Sequence, residues 1–360
     1  MKIFPKLNSW RRKTMRKLTK NVGSSKIGNN IQKDKSVTIK RVLISRPNSR
    51  LGNMLLITPL IIEIENKFPD AKIDIFTRAG VAPILFSKFE NVDRIIQLPK
   101  KPFKQLAKYV TRFASVREYK YDLVINVVAN SSSGRLSTKF ASSDLKIFGD
   151  IESDSQIQNQ DHLHVAKYPV YNLRRFLSML GFEDTNEPIP TLTLKLAQPE
   201  REQGAKLLQD LVGNSRKTIC IFTYATGTKR YSAKWWSVFY ERLQTEFGAD
   251  YNIVEVLPME NVSQIDFKAP TFYSKDVREI AAFIGSTSVF IGADSGIMHL
   301  ASASGAPTIG LFGISKAETF GPYGNENLAI DTRKMGNDEI FSNIRSVLSG
   351  NSGRTESISK

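Results

Sequence analysis

Residues 290–300 read Phe290-Ile-Gly-Ala-Asp294-Ser295-Gly296-Ile-Met-His299-Leu and run on through 301–313 as ASASGAPTIGLFG. A short apolar run that breaks into Asp-Ser-Gly, then resumes with apolar residues at helical spacing, predicts a buried strand turning directly into a helix. Asp294 or Ser295 would cap that helix, and Gly296 would let a ligand approach the backbone. The free amides and the dipole of such a terminus suit a diphosphate, with His299 one turn in as a further donor. Taken alone, the same residues also describe an ordinary capped helix, so the rest of the chain has to decide.

Outward from this stretch, short β-branched runs alternate with longer helical patterns, the mark of parallel sheets covered by helices. Strands are expected at 42–45, 72–76, 94–97, 122–127 and 145–147, with helices at 54–67, 82–88, 103–117 and 171–180. After a segment with Pro188 and Pro190 the scheme repeats. Strands are expected at 218–223, 251–256, 289–292 and 307–312, and helices at 200–211, 233–247, 276–285, 296–302 and 338–348. The division is a basic arm 1–40, a first α/β domain 41–183, a linker 184–195, a second α/β domain 196–349 and a polar tail 350–360. Open α/β sheets bind ligands at the carboxyl ends of their strands, so the active site is expected between the halves.

Composition narrows the function. The 360 residues are 41% hydrophobic and 24% charged, enough for two ordinary cores. No apolar run approaches the length of a membrane span, and the start lacks the apolar stretch of a secretory signal, so a cytoplasmic protein is expected. Cys220, the single cysteine, excludes an internal disulfide and a thiolate cluster, and its setting KTICIF reads as a buried strand. His162-x-His164 has no acidic or cysteine partner at ligand spacing, so no metal site is expected. The net charge of +16 is uneven: residues 1–41 hold thirteen Lys or Arg against the single acid Asp34. Leu7, Trp10, Thr14, Leu18 and Val22 fall at helical spacing within that arm, which fits a helix lying on an anionic membrane surface, or equally a solvated tail. Confinement of the charge to the arm, with no RNA-recognition or zinc-finger pattern, argues against specific nucleic-acid binding. The lack of a Gly-x-Gly-x-x-Gly after a strand argues against an oxidoreductase.

GADSGIMHLASASGAPTIGLFG at 292–313, with GPYG at 321–324, resembles the carboxy-terminal signature of glycosyltransferase family 9, the heptosyltransferases acting on ADP-heptose. RVLISRPNSRLGNMLLITPLI at 41–61, KFPDAKIDIFTRAG at 67–80, NVDRIIQLP at 91–99 and YDLVINV at 121–127 are similar to the amino-terminal half of that family, in the same order. The resemblance implies two facing Rossmann-like domains of the GT-B type and an inverting, metal-independent transfer with no cofactor beyond the nucleotide-sugar substrate. It also implies a lipid-linked glycan acceptor, such as the lipopolysaccharide core, and work at the inner face of the inner membrane. TYATGTKR at 223–230 resembles the family's phosphate-contacting loop. Thr223, Thr226 and Lys229 therefore join Asp294, Ser295, Gly296 and His299 as the implied nucleotide-sugar site, with Lys229 stabilising the departing diphosphate. The alternative for Lys229 and Arg230 is that they are solvated loop charges.

Arg50-Leu51-Gly52-Asn53 departs from the family, which usually has Gly-Asp here, the aspartate being taken as the base that removes the acceptor's proton. Asn53 is an amide and cannot take that role, although general-base assistance is worth roughly a hundred- to ten-thousandfold. Either Asn53 orients the acceptor while another group is the base, or the acceptor needs little help, or the chain is a non-catalytic sugar-nucleotide or glycan binder. Arg46 and Arg50, with Gly52 and Asn53, are the expected acceptor contacts, because guanidinium grips phosphate and carboxylate in bidentate fashion. Residues 162–175 resemble the family's segment in which a histidine precedes the helix leaving the first domain; His162, His164 and Lys167 would there face the cleft and help hold acceptor phosphate or donor, although a structural role is the more ordinary one for a lone histidine.

Overall fold

Val42, Leu43 and Ile44 carry no solvent exposure at all, because strand β1 (Arg41–Arg46) occupies the middle of a five-stranded parallel sheet. Its neighbours are β2 (Lys72–Thr77), β3 (Val92–Gln97), β4 (Leu123–Asn126) and β5 (Leu145–Ile147), in the order β3-β2-β1-β4-β5. This is a computed structural model, and it describes residues 14–15, 17–25, 38–100, 104–150 and 161–350. One face of the sheet packs Leu43, Phe76, Ile96 and Val124 against Val116, Tyr121 and the ring of Phe113. Fully burying side chains of this size contributes roughly 1.5–3 kcal/mol each. Asp74, buried in the same layer, accepts the Tyr121 hydroxyl at 2.8 Å and Arg41 at 3.1 Å, which compensates a carboxylate otherwise costly to enclose.

The second sheet holds β6 (Lys217–Phe222), β7 (Tyr251–Val256), β8 (Thr271–Phe272), β9 (Val289–Ala293), β10 (Thr308–Phe312) and β11 (Leu328–Asp331). All pair in parallel, in the order β11-β10-β9-β6-β7-β8. Strand order therefore reverses between β6 and β9, as it does between β1 and β4 in the first sheet. Trp236, Phe239 and Leu243 of helix Ala233–Phe247 pack over Ile253 and Ile291 to form this unit's core. Helices start where the local chemistry says they should: Ser232 accepts from Trp235 N at 3.1 Å, and Asp276 accepts from Arg278 N at 2.8 Å. Helix Gln198–Val212 ends at Gly213, whose φ of 65° is one glycine reaches without strain.

The chain divides into two units along lines that do not follow sequence order. One comprises Met1–Arg50, Pro59–His162 and Ala166–Pro190; the other takes Leu51–Thr58, Leu163–Val165 and Thr191–Lys360. The turn after β1 thus packs with the second sheet, and Thr193 N donates to Thr58 Oγ1 at 3.2 Å within that unit.

Several elements differ from expectation, each for a physical reason. The helix expected over 54–67 is two, Leu51–Leu55 and Thr58–Lys67, because Pro59 has no amide to continue the first and suits the opening turn of the second. Helix Lys167–Met179 starts four residues early, since Pro169 is tolerated in a first turn. Helix Ser132–Phe140 has no counterpart among the expected elements; Ser131 caps it, and Ser137 Oγ meets Ser45 Oγ at 2.6 Å, a closeness only small residues permit. The edge strands β8, two residues long, and β11 have no counterpart among the expected strands. Helix Leu106–Ala114 lies within the expected 103–117, whose start falls outside the described residues. Most of the expected surface helix over 1–22 also lies outside them. Among the described residues no helix is long and apolar enough to cross a membrane.

Candidate functional site

Loop 223–230 leaves β6 and the Asp294-Ser295-Gly296 junction leaves β9, so the two flank the strand-order reversal of the second sheet. Such a reversal opens a crevice at the carboxyl ends of the strands. All of β9 is buried, and Asp294 directly after it is 4% exposed. Its carboxylate accepts from Lys229 Nζ at 2.5 Å and from the hydroxyl of Ser315. Lys229 belongs to the short turn Gly227–Lys229, and its side chain keeps about a third of its surface, 35%, in solvent. Its ammonium also lies 5.4 Å from the centroid of the Phe320 ring. An otherwise costly buried carboxylate is thus matched by a cation that still reaches the crevice.

Ser295 caps helix Gly296–Ser304 by accepting from Met298 N at 3.2 Å. The amides of Gly296 and Ile297 precede the first intrahelical bond and supply the positive end of the dipole. His299, on the next turn, is 4% exposed, and its Nδ1 has no hydrogen-bond partner among the described residues. Burial first, then the neighbouring His164 and Lys229, push its pKa down to about 4, with Asp294 opposing. His299 is therefore neutral at physiological pH, an amphoteric hydrogen-bonding group rather than a charge.

The turn carrying Asn53 packs on this same helix. A Cβ on Gly52 would come within 2.8 Å of His299 Cδ2 and 3.3 Å of Gly296 Cα, and one on Gly296 would meet Gly52 N and Leu51 Cβ, each at 3.3 Å. Two glycines here allow backbone-to-backbone contact between helices Leu51–Leu55 and Gly296–Ser304, and Asn53 is the next residue along. Gly296 was expected to admit a ligand to the backbone; what its bare Cα admits on this side is the Gly52 turn.

Thr223 needs correction. It is 1% exposed, donates to Glu255 Oε1 at 2.5 Å and accepts Gln264 N at 3.0 Å, so its hydroxyl is engaged in holding the loop after β7. Glu255, fully buried and bonded also to Ser263 Oγ at 2.6 Å, has its pKa raised by desolvation against those two bonds. Thr226, by contrast, is exposed at the start of the Lys229 turn. Arg230 turns away, with Nε on Ala225 O at 3.0 Å and its guanidinium over Tyr224. His164 is buried, with Nε2 2.8 Å from Gly321 O and its ring edge-on to Tyr323, which is a structural post. Among the described residues no group of three His, Cys, Asp or Glu gathers as a metal site. Cys220 is buried as expected, its thiol pushed up by desolvation.

Arg46 and Arg50 belong to the first unit, and Gly52 and Asn53 to the second. Arg46 ends β1, and burial lowers its pKa to about 10; Arg50 is exposed, its amide bonded to Asn48 Oδ1 at 2.9 Å. Sequence reasoning missed a basic pocket in that unit. Arg78 after β2, Gln97 closing β3, and Lys100, Gln105 and Lys108 line a cavity of about 320 Å³ at the carboxyl ends of those strands. The Arg-Ala-Gly after β2 and the Pro-Lys after β3 were the available signals. It also missed Ser315, which only the fold brings to Asp294.

Residues 274–342, spanning the Asp294 junction, match the sequence profile described as glycosyltransferase family 9 (heptosyltransferase). Lipopolysaccharide heptosyltransferase 3 of Escherichia coli is 24% identical over 305 residues, covering 79% of this chain and 88% of that protein. Among solved structures, a glycosyl transferase family 9 protein of Veillonella parvula superposes with a TM-score of 0.66 at 17% identity, over 89% of this chain and all of that one. E. coli heptosyltransferase WaaC with ADP gives 0.61 at 15% identity, over 85% of this chain and 99% of that one. The fold, two parallel α/β sheets, is shared with these proteins.

Proposed function

We propose that this chain is a glycosyltransferase of the family 9, heptosyltransferase-like kind and that it moves heptose from ADP-heptose, with inversion, onto a lipopolysaccharide core acceptor. The observation that carries the reading is the Lys229–Asp294 pair at the strand-order reversal, beside a helix whose first amides are open. What supports the donor is the likeness to a lipopolysaccharide heptosyltransferase and to an enzyme solved with ADP.

In this reading the diphosphate lies on the amides of Gly296 and Ile297 and takes hydrogen bonds from Lys229 and His299, while Thr226 borders it. Asp294 holds Lys229 in place before the donor arrives, and an ammonium with three N–H donors serves a carboxylate and a phosphate oxygen together. The acceptor hydroxyl oxygen attacks the anomeric carbon, the bond from that carbon to the diphosphate oxygen breaks, and Lys229 with the helix terminus stabilises the charge arriving on the leaving group. Positive charge from the chain does the work a divalent ion would otherwise do. Asn53 orients the acceptor by its amide, and a different group takes the proton. The pocket of Arg78, Lys100 and Lys108, with Arg46 and Arg50, suits phosphate or carboxylate on the acceptor. An acceptor borne on lipid A implies peripheral work at the cytoplasmic face of the membrane.

The test is a thermal-shift screen with ADP-heptose and with UDP-, GDP- and CMP-linked sugars, followed by transfer to a core acceptor. ADP-heptose should raise the melting temperature of the wild type and not of Lys229→Ala; no shift with any nucleotide sugar sinks the reading. Asn53 favours a second reading, a non-catalytic donor or glycan holder, for which the same screen gives a shift without turnover.

A further inference from the structure

We propose that the first unit docks on an anionic lipid bilayer through the groove between its helices Leu106–Ala114 and Ser132–Phe140. Helix Leu106–Ala114 buries none of its residues: Leu106 and Val110, one turn apart, are 62% and 56% exposed. Phe113 packs edge-on against Phe76 of the sheet and lies 5.2 Å from the ring of Phe140. Phe140 and Leu136, each 37% exposed, carry the apolar strip onto the second helix. Beside this strip is an open hollow of about 660 Å³, bordered by Phe113, Leu136 and Phe140 and by Arg117, Lys139, Asp144 and Lys146, with Leu106 and Val110 extending the apolar strip beyond it along the first helix. Exposed apolar patches of this kind on a folded surface mark an interaction site.

Charge selects the occupant. Residues 104–146 contain eight Lys or Arg against the three acids Glu118, Asp122 and Asp144. All three acids are engaged already: Glu118 pairs with Arg94 and Asp144 with Lys120, each at 2.8 Å, and Asp122 accepts the amides of Lys40 and Arg41. Arg112, Arg117 and Lys139 form no ion pair among the described residues, and Arg117 covers the Phe140 ring. Apolar side chains set among unneutralised cations match the boundary between acyl chains and anionic headgroups, where long basic side chains reach outward to phosphate.

The chain's basic arm joins the fold at the same helix. Arg135, next to Leu136, donates to Gly23 O at 2.5 Å, and Ser25 is tied to Asp150. Gly23 and Ser25, within the arm whose residues 1–41 carry thirteen Lys or Arg, therefore lie against helix Ser132–Phe140 and Asp150 of the first unit.

This inference rests on the membrane-borne acceptor for its purpose, but its test does not. The full chain is floated with phosphatidylcholine vesicles and with vesicles containing about one third phosphatidylglycerol. Wild type should float only with the anionic vesicles, and Leu106→Ser with Val110→Ser should lower the bound fraction about tenfold while the arm is intact. Arg112→Gln with Lys139→Gln should lower it severalfold, and deleting residues 1–22 should leave a remainder that still depends on Leu106 and Val110. No flotation of the wild type, or wild-type flotation of the serine variant, overturns the proposal. So does a serine variant that changes oligomeric state, which would make the groove a contact between copies. ADP-heptose thermal shifts of the same variants should equal the wild type's. A wild type that floats through the groove yet ignores every nucleotide sugar would refute the functional reading and leave this one standing.

Discussion

Lys229 Nζ lies 2.5 Å from Asp294 Oδ2, joining two loops that leave the second sheet on either side of its strand-order reversal. If that ammonium stabilises the leaving diphosphate, Lys229→Ala should lower kcat about a hundred- to thousandfold. Because the buried Asp294 carboxylate then keeps only Ser315, the melting temperature should fall as well. Steady-state transfer kinetics with unfolding curves read both, and a near-native kcat would remove Lys229 from the mechanism.

His299 makes stability depend on acidity. Its folded pKa, about 4, lies below the ordinary value of 6.5, so the unfolded chain takes up the proton first. The native state is fully stable above pH 6.5, loses stability as pH falls through 6.5 to 4, and loses no more from this group below that. The full loss is ~3 kcal/mol. Urea unfolding of His299→Gln should show a shallower decline over that window, and an unchanged slope would mean the imidazole is not held neutral.

Gly52→Ala places a methyl 2.8 Å from His299 Cδ2 with Gly296 Cα behind it. Overpacking of this sort costs roughly 1–3 kcal/mol. Donor affinity should fall with it, since the imidazole has to move. A variant with wild-type melting temperature and donor affinity would show that the two helices separate freely.

Thr223→Val removes a hydroxyl that serves Glu255 and Gln264 N. Glu255 Oε1 then lacks a partner while Oε2 keeps Ser263 Oγ, at a cost of roughly 1–3 kcal/mol. Donor KM should stay near the wild-type value, because Thr223 does not face the crevice; a large rise in KM with unchanged stability would restore it to the binding site.

Asn53→Asp tests the missing base. Activity equal to or above wild type is expected if Asn53 keeps the acceptor in position, with a gain of up to about a hundredfold where the new carboxylate takes the proton. Complete loss of transfer by a folded variant would mean that the amide itself is required.

What the sequence made legible was the part written in local chemistry. Buried β-branched runs, helices beginning near 233 and 276, and the strand–Asp-Ser-Gly–helix junction are legible from local sequence, and the structure has them in those places. Thr223 looked like a loop hydroxyl open to ligand because nothing near it in sequence announces Glu255, a partner 32 residues away. Gly296 was read as an opening for a ligand because the Gly52 turn, more than two hundred positions earlier, leaves no mark on the local pattern. Ser132–Phe140 escaped for the complementary reason: its small residues look like a loop until the sheet they pack on is present.

The allegiance of residues 51–58 to the second unit bears on any attempt to exchange halves between related enzymes. A fragment begun at residue 191 would arrive without the turn that lies over Gly296 and His299, and the imidazole would meet water. Chimaeras cut at the linker would pair one parent's His299 with the other's Gly52, so grafts that carry 51–58 along with the carboxy-terminal half are the ones that keep both surfaces of this contact from a single ancestor.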